Sequence, residues 1–166
     1  MPRMSLRELL ALIALVAMAI VSLKYASEFW RGVVGLWVLV AYVGCIIAAV
    51  IDRGPRQAFA LGMAITMTIY GGLILSLGMW DGGNGNYEFI PYAGRLPTTN
   101  LLTPFYSSIV EYEDILENGI VTRQIEHPDS AIFMITGHYW WALVLAYAGG
   151  RFARFLYVRR ADEAEK

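Results

Sequence analysis

The chain has 166 residues, 57% of them hydrophobic and 16% charged, with a net charge of −1. Soluble domains are about 45–50% apolar and about 25% charged, so this composition argues against an ordinary soluble domain, and the near-zero charge gives nucleic acid no electrostatic hold. One cysteine, Cys45, excludes an intrachain disulfide and any mechanism that needs a cysteine pair within the chain.

The apolar residues fall in four blocks with the charges between them. A helix crosses the hydrocarbon core with about 20 apolar residues. The first block, Leu9 to Leu23, is uncharged but short. Ser5 followed by Glu8 reads as a capping box, which starts the helix near Leu6. Lys24 can extend its stem to the headgroups, so the span runs on to Tyr25. A basic start before an apolar run also suits a signal peptide. Ser22-Leu23-Lys24-Tyr25-Ala26 offers no small-x-small cleavage site, so an uncleaved anchor is expected.

The second block is Gly32 to Ile51 and the third is Ala58 to Trp80, both uncharged. The fourth, Ala131 to Gly150, carries only His138 and tyrosines as ionisable groups. Lipid offers no partners for open backbone groups, so each block must be helical. The predicted fold is an all-α membrane protein, a four-helix bundle spanning at about 6–25, 32–51, 58–80 and 131–150.

Basic residues set the orientation. Nine lie on one side: Arg3, Arg7, Arg53, Arg56, Arg151, Arg154, Arg159, Arg160 and Lys166. Four lie on the other: Lys24, Arg31, Arg95 and Arg123. The nine-positive side is predicted to be the cytoplasm, with both termini there, in a bacterial inner membrane. Trp30, Trp80, Trp140 and Trp141 sit near the outer ends and read as interface anchors. Arg151, Arg154, Arg159 and Arg160, alternating with apolar groups, extend the fourth helix into the cytoplasmic headgroups and favour anionic lipid.

Residues 81–130 form a long outer loop with eight acids against two arginines. Asp81-Gly82-Gly83-Asn84-Gly85-Asn86 is turn chemistry. The oxygens of Asp81, Asn84, Asn86 and Glu88 are candidate calcium ligands, though their spacing departs from the EF-hand loop. Thr103, Pro104 and Gly119 frame a predicted amphipathic helix with Phe105, Ile109, Tyr112 and Leu116 on one face. Ile120 to Ile125 reads as a short strand.

His138 is the sharpest candidate for chemistry, because ionisable groups within spans are costly. His138, Ala142, Ala146 and Gly150 repeat at four-residue spacing, and such small residues let helices approach. His138 is therefore expected to face protein. One reading makes it a haem ligand or proton relay. The other makes it a neutral, hydrogen-bonded packing residue, with Tyr70 or Ser76 as partner. Bis-histidine haem needs a second histidine in the bundle, and His127 lies in the loop. No cofactor is expected. Gly44 with Ala48, Gly62 with Thr66, and the pairs Gly71-Gly72 and Gly149-Gly150 are further packing candidates.

Characterised four-helix families leave marks absent here. Quinone-linked disulfide oxidoreductases and vitamin K epoxide reductases need cysteine pairs. Four-helix cytochromes b need several span histidines, and small multidrug exporters need a glutamate within the first span, whereas Glu8 sits at its mouth. The opening Ser5-Leu6-Arg7-x-Leu9-Leu10 resembles the start of small uncharacterised bacterial inner-membrane proteins. Gly137-His138, Trp141-Ala142-Leu143, Gly149-Gly150 and Tyr157-x-Arg159-Arg160 have the same flavour. That resemblance covers the two ends only and implies no activity.

The expectation is a non-enzymatic accessory or scaffolding subunit of a membrane complex, whose partners are the bilayer and other membrane subunits or itself. A small oligomeric transporter or channel is the first alternative. A redox or proton-handling subunit using His138 is the second.

Overall fold

The structure is a computed structural model and describes residues 6–81, 88–91, 96–117 and 120–164. Five helices dominate: α1 (Leu6–Lys24), α2 (Glu28–Ile51), α3 (Pro55–Leu77), α4 (Pro97–Ile109) and α5 (Ser130–Ala164). Four short strands lie between α3 and α5: β1 (Gly78–Asp81), β2 (Glu88–Pro91), β3 (Glu111–Glu117) and β4 (Ile120–His127). They pair as two antiparallel hairpins, β1 with β2 and β3 with β4.

Among the described residues three helices are long and apolar enough to cross a membrane, over Glu28–Ile51, Pro55–Ser76 and Ser130–Ala161. Most of their surface is not covered by protein. Leu36, Leu39, Val40, Ile46, Ile47, Ile65 and Ile69 all project outward. In water such faces would aggregate, whereas in lipid they are solvated. α1 is a shorter apolar helix.

α2 turns into α3 within three residues. The Asp52 N–H closes α2 on Ala48 O at 2.9 Å, and Gln57 Nε2 reaches back to Ala49 O at 3.0 Å. Gly54 takes φ +67°, which only glycine adopts without strain. α5 starts on Asp129, whose carboxylate accepts the Ile132 N–H at 3.0 Å as a helix cap.

α3 and α5 share the most extensive helix interface. Their crossing depends on missing side chains. A Cβ at Gly62 would lie 2.6 Å from Gly149 O and 2.6 Å from Ala153 Cβ. One at Gly150 would lie 2.8 Å from Phe59 O. Ala142 and Ala146 are buried on the same stripe. α1 joins the bundle through its C-terminal turns, where Trp140 Nε1 donates to Ser22 Oγ at 2.8 Å. Leu23 and Ala26 pack there with Leu102 and Phe133.

Four expectations are corrected. The loop helix runs Pro97–Ile109, not from Thr103 toward Gly119. Pro97 takes the favoured first position, and Pro104 lies inside the helix. The stretch after Ile109 is strand β3, which pairs with β4 from Glu111↔His127 to Glu117↔Ile120. The third helix ends at Leu77, and Trp80 belongs to β1, paired with Phe89. Trp140 is buried against α1, so its N–H serves Ser22 and not the headgroups.

Candidate functional site

The His138 side chain is buried, with 2% of its surface exposed. Two elements converge on it from outside its own helix, α5. Tyr70 of α3 places its hydroxyl 2.9 Å from Nδ1. Thr99 of α4 places its hydroxyl 3.2 Å from Nε2. The Tyr70 hydroxyl also lies 3.0 Å from the Thr98 hydroxyl. Thr98 and Thr99 lie in the first turn of α4, so the start of that helix is held against the bundle. Leu102, one turn on, presses into the space over Gly137, where a Cβ would meet Leu102 Cδ1 at 2.6 Å.

A neutral imidazole has one N–H and one acceptor nitrogen. The Tyr70 hydroxyl donates to Thr98, so Nδ1–H of His138 donates to the Tyr70 oxygen and Nε2 accepts from Thr99. Both ring nitrogens are thereby satisfied, and among the described residues no buried side-chain N or O lacks a partner. Among the described residues no carboxylate or lysine hydrogen-bonds to this network, and the geometry provides cohesion between α3, α4 and α5.

Beside this network lies a cleft of about 600 Å³ between α2, α3 and α5. Small-molecule sites fall in a range of about 300–1,000 Å³. Its walls are mainly apolar and include Val38, Leu39, Met67 and Leu75. Gly71 and Gly72 form part of it, with nothing within 4 Å of either Cβ position. Gly35 lies opposite, closed by the Tyr139 ring. Thr68 donates to Ala64 O at 2.9 Å, so the Tyr42 hydroxyl, 3.0 Å away, donates to Thr68 and ties α2 to α3. At one end Arg31 is ion-paired with Glu28.

The sequence candidates separate accordingly. His138, Ala142, Ala146, Gly150 and Gly62 are buried in the α3–α5 core. Gly44, expected to pack a helix, faces open space with nothing within 4 Å, and the neighbouring Cys45 is the residue that meets Met63 of α3. Ala48 lines a second cleft near that turn. Ser76 bonds Leu73 O at 3.1 Å and takes no part in the histidine network. Trp30 rests edge-on against Phe29 at 5.6 Å, and Trp141 packs at the edge of the Leu102–Phe133 cluster. Asp81 and Glu88 are the paired positions next to the connecting turn of the first hairpin. Asn84 and Asn86 lie outside the described residues. Among the described residues no three His, Cys, Asp or Glu side chains gather as a metal site.

Thr98 and Thr99 were missed by sequence reasoning. Their signal was Pro97, a helix-start residue placed before two threonines.

The chain matches no protein-family model, no curated protein and no solved structure.

Proposed function

We propose that this chain is a non-enzymatic, multi-pass subunit of a larger assembly in a bacterial inner membrane. In this reading it crosses four times, with α1 as the extra span and both termini in the cytoplasm. The α2–α3–α5 cleft receives a transmembrane helix of the partner. The observation that carries the reading is the open pair Gly71 and Gly72. Glycines in a span serve close helix approach. Gly62, Gly149 and Gly150 are consumed by α5 or α3 within the chain, whereas Gly71 and Gly72 face a cleft.

At 19 residues, α1 is about 28 Å long, close to the hydrocarbon thickness. Its outward apolar residues, including Ile13, Val16 and Ile20, suit lipid. The basic-residue asymmetry supports the orientation. The apolar walls of the cleft give a transported ion no path. His138 has both nitrogens engaged by hydroxyls, which supports cohesion over redox or proton handling.

The test is copurification from native membranes in mild detergent, comparing wild type with Gly71→Leu/Gly72→Leu. Filling the cleft is expected to release the partner chains while leaving helical content intact. Unchanged copurification would contradict the reading.

A further inference from the structure

A second cleft, of about 480 Å³, opens at the other end of the bundle, where α2 turns into α3 and α5 leaves the apolar core. The apolar part of its lining, its floor, includes Gly44, Ala48 and Tyr147. Arg56, Arg151 and Arg154 stand around it, opposed by one acid, Asp52. Arg151 and Arg154 are three apart on α5, so they share a face. Arg56 lies in the first turn of α3, where the positive end of the helix adds to its charge. All three arginines are exposed, and none forms an ion pair with a described residue.

We infer that this cleft is a binding site for one anionic phospholipid, its phosphate held by Arg56, Arg151 and Arg154 and one acyl chain lying on the Gly44 floor. Two independent features meet here. The arginines outnumber the acid three to one, and three like charges around one cleft repel unless an anion sits among them. The floor leads from those charges along α2 into the stratum of its apolar side chains. Open space over Gly44 is unexplained by packing within the chain, and an acyl chain fills it. A free phosphate ion would use the arginines and leave the floor bare. Basic pockets between spans on the cytoplasmic side hold lipid headgroups of this class. The site does not depend on a partner subunit; only its assignment to the cytoplasmic leaflet follows the proposed topology.

The experiment is native mass spectrometry of the full chain in detergent. It is titrated separately with phosphatidylglycerol, phosphatidylcholine and inorganic phosphate. One phosphatidylglycerol is expected to bind in preference to phosphatidylcholine. Arg56→Gln, Arg151→Gln and Arg154→Gln are each expected to weaken it about fivefold. Arg159→Gln/Arg160→Gln, on the same helix but outside the cleft, is expected to leave it unchanged. Gly44→Leu, at a position with room for a side chain, is expected to expel the lipid. Equal binding of phosphatidylcholine, equal loss in Arg159→Gln/Arg160→Gln, or retention of the lipid in Gly44→Leu would each overturn the site. Phosphate displacing the lipid at low concentration, with Gly44→Leu indifferent, would make it a phosphate site and overturn the lipid assignment.

Discussion

The Tyr70 hydroxyl joins three elements through one atom, bridging His138 and Thr98. Tyr70→Phe removes it and keeps the ring. The expected cost is about 1–2 kcal/mol, since a buried imidazole nitrogen and a threonine hydroxyl each lose a partner. Thermal unfolding in detergent, followed by circular dichroism, reads this as a lowered midpoint. An unchanged midpoint would show that the network contributes nothing. Trp140→Phe, which frees Ser22, is expected to cost about 0.5–1.5 kcal/mol and to loosen α1 first. His138 and Tyr70 were legible in the sequence, because an imidazole within an apolar block must find a partner and few polar groups are in reach. Thr98 and Thr99 were not, since threonine is common in loops and their contact with His138 spans about forty residues of chain.

At the scale of the elements, glycines divide into those a helix occupies and those it does not. Gly62→Ala would drive a methyl toward Gly149 O, a backbone atom that cannot step aside. The expected loss is about 1–3 kcal/mol, as for overpacking in a close-packed interior. Gly44→Ala meets nothing and is expected to stay within about 0.5 kcal/mol of wild type. Equal effects of the two changes on the unfolding midpoint would contradict the α3–α5 crossing described above. The sequence shows that both residues are small, but not which helix passes over them; that depends on the tight turn at Gly54. The segment between α3 and α5 was legible only in part for a related reason. Tyr112 and Leu116 are four apart, a spacing that satisfies a helical face and also the even positions of a strand. Pairing with β4 decides for the strand. Gly119 suits a helix exit, but with Asn118 before it the pair is also a favoured hairpin dipeptide.

For the whole molecule, the apolar blocks were readable because lipid imposes one backbone solution and one length. Their mutual arrangement was not, because the surfaces that meet are as apolar as those that face lipid. The proposed topology makes a direct prediction in a Cys45→Ala background. A thiol introduced as Arg53→Cys should react with an impermeant reagent only from the cytoplasmic side, and one introduced as Ser108→Cys only from the outside. Reaction of both from one side would refute the orientation. The subunit reading is tested most directly by native mass spectrometry of the wild-type protein drawn from its own membrane in mild detergent. Other chains are expected to leave the membrane bound to it. A bare monomer, or an assembly of this chain alone, would contradict it.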